Sequence, residues 1–283
     1  MAEYAGKPDE YERFLRQKID ELDLDRLRQL FYDPKPRDSS RYIIAIEPSP
    51  TTRMRFKKSI ASRRVFELIW DKHIQHRIDV MVDFYNLFLA DSIAVVEWLF
   101  QLRIHQLLAG QRTIRLFPIH GRHEGVNLVY DDYTASEAGS NPTNLRLTNS
   151  EELALVEKTK LKKGCYYRPK SADFPAIDSL RLVRPRDEPS PILLMFQIAR
   201  NQRDQDANMD GLFKIDGLGL PSNARRYYVV VTVGDTQPKI TVPMRYFEGG
   251  TRRRGSRRSP DEVFPVFHYP LRKEELFANQ KTY

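Results

Sequence analysis

Apolar positions change rhythm along the chain. From 9 to 32 they fall at Phe14, Leu15, Ile19, Leu22, Leu27, Leu30 and Phe31. That spacing predicts one or two amphipathic helices, ending before the Pro/Asp/Ser linker DPKPRDSS. RYIIAIEPSP (41–50) is β-branched and bounded by prolines, which predicts a strand. Ser59 to Ala109 reads as helix almost throughout, with a break at Ala90-Asp91-Ser92 where Asp91 or Ser92 would cap the next helix.

After Gly110 the pattern shortens to β segments at 113–119, 126–133, 165–169, 176–183, 192–199 and 227–233, with a helix around 207–218 between the last two. The 192–199 and 227–233 runs are nearly all apolar, as in strands covered on both faces. RPRDEPSP (184–191) carries three prolines, so 176–183 and 192–199 are expected to form an antiparallel hairpin with an irregular loop. The order helix, three strands, helix, strand describes an α/β sandwich with a mixed sheet. VFPVFHYPL (263–271) is expected to add an edge strand, and TRRRGSRRSPDE (251–262) reads as a polar tail. No internal repeat is visible.

With 283 residues, 41% of them hydrophobic, the chain can bury a real core. The net charge of +8 favours an acidic partner such as nucleic acid. A single cysteine, Cys165, excludes an internal disulfide and a thiolate metal cluster; it points to a reducing, intracellular compartment and reads as a strand residue. Neither a signal peptide nor a membrane-spanning run is readable.

The candidate chemistry lies in the hairpin. Asp178 and Gln197 each sit in an apolar segment, and the hairpin brings those segments side by side. A buried carboxylate is costly unless something pairs with it, and a hard divalent cation such as Mg²⁺ would fit an oxygen-rich spot there. In the preceding helix, Glu97, Gln101 and His105 follow one another at i, i+4, i+8 beside an apolar face of Ile93, Val96, Phe100, Ile104 and Leu107. This stripe either looks at the sheet edge or forms a solvated flank.

The run EWLFQLRIHQLL, then LFPI, NLVYDDY, YYRPKSADFPAIDSL and LLMFQIA, resembles the C-terminal effector region of Crinkler proteins and the related retrotransposon hot spot proteins. The resemblance spans roughly 40 to 235 and is most specific at FPAIDSL and LMFQ. It implies a restriction-endonuclease-like PD-(D/E)XK core with an N-terminal helical extension: residues 1–90 as extension and 91–283 as nuclease-like domain with a basic C-terminal loop. Longer relatives resemble a fusion with an NTPase module, which makes the helical 59–89 stretch a candidate remnant of that module's end. Carried over, Asp178 is the acid of the second core strand, Gln197 takes the third-strand position, and Gln101 falls where the family has its helix Glu.

The sequence departs from that pattern in three ways. Gln101 replaces a carboxylate, Ala199 stands where a Lys or Thr is usual, and the His that often follows the Gln strand has no counterpart. Metal-assisted phosphodiester hydrolysis needs an activated water and a cation near the phosphate. Glu97, Asp204 or Asp206 would have to replace the missing acid, and Lys170 or Arg200 the missing cation. A basic track of Arg181, Arg184 and Arg186, with Arg225 and Arg226 at the start of the last strand, is expected to lead toward this site. Arg252, Arg253, Arg254, Arg257 and Arg258 form either a phosphate-binding or nuclear-import element or a solvated loop.

GLGLPS (217–222) lacks the Lys-Ser/Thr of a P-loop and reads as a helix stop and turn. The pairs His73/His76 and His120/His123 read as incidental, each lacking a third ligand. The expectation is a DNA-binding effector module, intracellular and nuclear, or exported to a host cell, with weakened or lost catalysis. The alternatives are an active Mg²⁺-dependent endonuclease and an effector that contacts a host or nuclear protein without binding nucleic acid.

Overall fold

A computed structural model describes residues 7–32, 42–48, 56–133, 142–156, 159–169, 176–185, 189–199, 205–221, 223–234, 236–243 and 264–278. The chain gathers into two compact units, 1–103 with 277–283, and 104–276. Their boundary falls inside one helix, where the sequence reading places it at residue 91.

The first unit holds α1 (Pro8–Asp20), α2 (Leu24–Tyr32), the antiparallel pair β1 (Ile44–Pro48) and β2 (Phe56–Ile60), α3 (Arg63–Ile69), a π-helical turn over Trp70–Ile74, α4 (Ile78–Phe88) and the start of α5 (Ile93–Ala109). The paired helices expected before residue 33 and the strand expected in 41–50 are present. β2 lies just before the predicted helical stretch and runs into its first residues. The apolar stripe of α1 and α2 is buried at Leu15, Ile19, Leu27 and Phe31, where it meets Phe66, Phe84 and Phe88 in one core. Lys72 closes the end of α1 by donating to the carbonyls of Ile19, Asp20 and Leu22 at 2.7, 2.8 and 2.9 Å, a cation placed at the negative end of a helix.

The second unit is built on an eleven-stranded mixed sheet among the described residues. In chain order its strands are β3 (Arg112–Glu124), β4 (Asn127–Asp132), β5 (Thr143–Leu147), β6 (Glu151–Leu155), β7 (Cys165–Pro169), β8 (Ser179–Val183), β9 (Ile192–Ile198), β10 (Gln205–Asp206), β11 (Arg225–Val233), β12 (Ile240–Pro243) and β13 (Val266–Leu271). Across the sheet they run β10-β12-β4-β3-β13-β11-β9-β8-β7-β6, with β5 pairing β3. β8 lies between β7 and β9 and runs antiparallel to both, and β11 joins β9 in parallel after α6 (Met209–Asp216). A short α7 (Lys273–Leu276) closes the unit.

Both faces are covered, which explains the unbroken apolar runs of β9 and β11. Leu193 and Met195 of β9, Leu180 and Leu182 of β8 and Tyr228 and Val230 of β11 form one core with Leu212 and Ile215 of α6. The other face meets α5, because Arg181 of β8 donates to Leu108 O at 2.6 Å and Tyr166 of β7 meets His105. The result is helix, sheet, helix in three layers.

Two expectations are corrected. The 263–271 segment does form a strand, but β13 is central: it lies between β11, in parallel, and β3, antiparallel. Its residues Val266, Phe267, His268 and Tyr269 are buried accordingly, so the apolar text marked a two-sided strand. The polar stripe on α5 is no solvated flank. Gln101 is 4% exposed and His105 2%, and only Glu97 is half-exposed.

Candidate functional site

Asp178 and Gln197 meet where β8 begins and β9 ends. The β8–β9 register pairs Ser179 with Phe196, so one step further Asp178 faces Gln197. The backbone N–H of Asp178 donates to Phe196 O at 2.8 Å. The next strand-like bond is made by a side chain: Ile198 N–H donates to Asp178 Oδ2 at 2.7 Å. The carboxylate thus substitutes for a backbone acceptor at the end of the ladder, and neutralises a donor that would otherwise be lost to pairing.

Tyr228 ties the other half together. Its hydroxyl donates to Ala176 O at 2.9 Å and also lies against Gln197 Oε1, sharing one proton between two acceptors. The phenol is pushed well above its usual pKa by burial, and further by the negative charge of Asp178. It stays a neutral donor at any physiological pH. Gln197 occupies the face of β9 that carries Leu193 and Met195, against α6. The pair lies at the carboxyl end of β9, beside the parallel strand β11, which is where open α/β sheets hold their ligands.

On the opposite face lies a second polar cluster. Tyr166 O–H donates to Ser179 Oγ at 2.7 Å, and His105 Nδ1 is 2.7 Å from the same Tyr166 oxygen. The one phenolic proton goes to Ser179, so His105 is the donor to Tyr166, from Nδ1–H. Burial pushes the Tyr166 pKa up. Beside it, Arg181 donates to Leu108 O and Thr148 O, while Ser150 Oγ donates to Ala109 O at 2.7 Å. Together Arg181 and Ser150 satisfy the last carbonyls of α5.

These contacts sort the expected site residues. Asp178 and Gln197 come together. His105, the last member of the α5 stripe, serves the Ser179 face rather than the face of Gln197, and Glu97 and Gln101 belong to the first unit. Ala199, at the expected cation position, is 8% exposed and bonded through its N–H to Val231 O at 2.9 Å. Lys170, Arg186, Arg200, Asp204, Arg252, Arg253, Arg254, Arg257 and Arg258 lie outside the described residues, as does the side chain of Asp206.

The basic track is corrected at Arg181. Arg181 is 1% exposed, lowered in pKa by burial, and spent on helix carbonyls, so no phosphate reaches it. Arg184 is exposed, but it follows β8 at the far end of the hairpin, six residues or about 20 Å of extended strand from Asp178.

A hard divalent cation is held by one or two carboxylates, often with further oxygen ligands. Here the described side chains offer one carboxylate, with one oxygen already accepting an N–H, and one neutral amide shared with Tyr228. Among the described residues no three His, Cys, Asp or Glu side chains gather as metal ligands. The donor set on the described residues therefore does not fit Mg²⁺.

Tyr228, Tyr166 and Ser179 escape sequence reasoning. The two tyrosines read as ordinary members of apolar strands, and a single hydroxyl within such a run carries no local signal of its partner. No helix among the described residues is long and apolar enough to cross a membrane. No family model, curated protein or solved structure shows significant similarity to this chain.

Proposed function

We propose that the chain is a Crinkler-like effector module that binds DNA on a restriction-endonuclease-like framework and has weakened or lost the cut. The observation that carries this reading is the junction of Asp178 and Gln197 at the carboxyl end of β9. The resemblance would put the family's acid and Gln at these two positions; after α5 and the intervening β3 to β6, the neighbours β7, β8 and β9, then β10, α6 and the parallel strand β11 supply a strand, helix and strand succession that supports such a core. The loss of cutting is supported by the donor set. Asp178 is engaged in closing the sheet, Gln101 is an amide and Ala199 is apolar. The formal charge of +8 supplies the non-specific attraction to a polyanion.

In this reading the nucleus, of the producing cell or of a host, is the place of action, and DNA the partner. Incubating the purified chain with supercoiled plasmid and Mg²⁺ or Mn²⁺, beside a binding titration on the same plasmid, tests it. Binding that weakens steeply with salt and leaves the plasmid intact is the expected result. Metal-dependent nicking that disappears in Asp178→Ala would replace it with an active endonuclease. Absence of binding at low salt would leave a protein-contacting effector.

A further inference from the structure

We infer that the two-stranded ribbon of β3 and β5 is the surface that grips nucleic-acid phosphates; this rests on the DNA-binding reading above and adds where the contact is made. β5 pairs antiparallel with the first half of β3, in the register Thr113 to Arg146 and Arg115 to Asn144. One side of this ribbon is buried through Ile114, Leu116, Leu145 and Leu147. The other side presents Thr113, Arg115, Asn144 and Arg146, all four exposed.

The chemistry of that outer side is all one kind. Two guanidiniums alternate with a hydroxyl and an amide, and no carboxylate stands among them. These are the side chains that contact phosphate oxygens in protein–DNA complexes. Each arginine lies opposite a neutral hydrogen-bonding residue, and the two arginines are diagonal neighbours, about 7–8 Å apart at the backbone. That separation allows both to hold successive phosphates of one strand.

Arg112, on the buried side of the same strand, answers to Glu275 at 2.9 Å. Among the described residues, Arg115 and Arg146 have no such acid partner. Arg115 instead lies over the ring of Phe117, 5.1 Å from its centroid. The stacking holds the guanidinium extended along the strand, which lowers the ordering cost of binding. A β-ribbon of this kind fits a duplex groove or backbone.

The test is fluorescence anisotropy of a labelled duplex DNA against the full chain, the double variant Arg115→Ala/Arg146→Ala, and Arg77→Ala as a control exposed arginine that already pairs with Asp79. The double variant is expected to bind at least about tenfold more weakly at low salt, with the slope of log K against log salt shallower by about two. Arg77→Ala is expected to match the parent. Both altered arginines are exposed, and an unchanged unfolding midpoint will verify that the variant is folded. If the parent binds and the double variant retains its affinity and slope, the ribbon is not the contact while DNA binding stands. If the parent does not bind the duplex at low salt, the DNA reading and this surface fall together.

Discussion

Ile198 gives its backbone N–H to the carboxylate of Asp178, so a side chain does the work of a β-ladder acceptor. The bond links the start of β8 to the end of β9, and it sets what each substitution there should reveal. Asp178→Ala removes a charged acceptor and strands the Ile198 donor, at a cost of about 2 kcal/mol. Asp178→Asn keeps a carbonyl acceptor and should lose less than about 1 kcal/mol. Denaturant midpoints of the two variants check the difference; equal losses would mean that the charge alone matters.

The cluster of His105, Tyr166 and Ser179 is expected to act as a unit. Tyr166→Phe leaves a buried imidazole N–H and a serine hydroxyl without their partner, costing about 1–3 kcal/mol. Ser179→Ala added to it should cost little more, and a double-mutant cycle should return a coupling of about 1 kcal/mol. Simple additivity would contradict the shared proton path.

Arg181 is expected to matter for stability and not for nucleic acid. Arg181→Ala opens a cavity beneath α5 and leaves Leu108 and Thr148 carbonyls without their donor, a loss of about 3 kcal/mol. Under conditions where the variant remains folded, its DNA affinity should equal that of the parent. A tenfold loss of affinity in folded protein would return Arg181 to the binding surface.

His268 predicts an acid-sensitive fold. Burial lowers its pKa from 6.5 to about 4, its Nε2 lies 2.7 Å from Thr232 Oγ1, and the Tyr133 ring meets it edge-on at 5.5 Å. Between those two pH values the unfolded chain binds the proton and the native state does not. Stability from this residue is therefore complete above pH 6.5 and is lost as the pH falls toward 4, by about 3 kcal/mol. Urea unfolding at a series of pH values measures it, and His268→Gln should flatten the profile across that window.

Much of this fold is readable because apolar periodicity answers to burial. The continuous runs at 192–199 and 227–233 mark the strands with helices on both sides, and the proline-rich 184–191 connector marks the hairpin that brings Asp178 to Gln197. The short strands β5, β6, β10 and β12 are not legible, since TNLRL or EELAL satisfies a loop as well as a strand until a neighbour offers its ladder. Charge misleads for a related reason. Arg181, Gln101 and His105 look like solvent-facing residues in the text, yet helix carbonyls and a buried tyrosine supply Arg181 and His105 with partners that no local spacing announces. Arg115 and Arg146 show the reverse case: they lie in unremarkable stretches, and only the β3–β5 register makes them neighbours.

The place of β13 governs how the molecule must be completed. This late segment pairs with β11 on one side and β3 on the other, so until residues 266–271 have left the ribosome the sheet exists as two halves, each with a long unsatisfied edge. Seams of this sort invite pairing with foreign strands, and joining β3 to β13 across some 150 residues of intervening chain is slow compared with local turns and helices. The growing sheet therefore stays adhesive until β13 is added, and a chaperone that shields β-edges would be its natural escort.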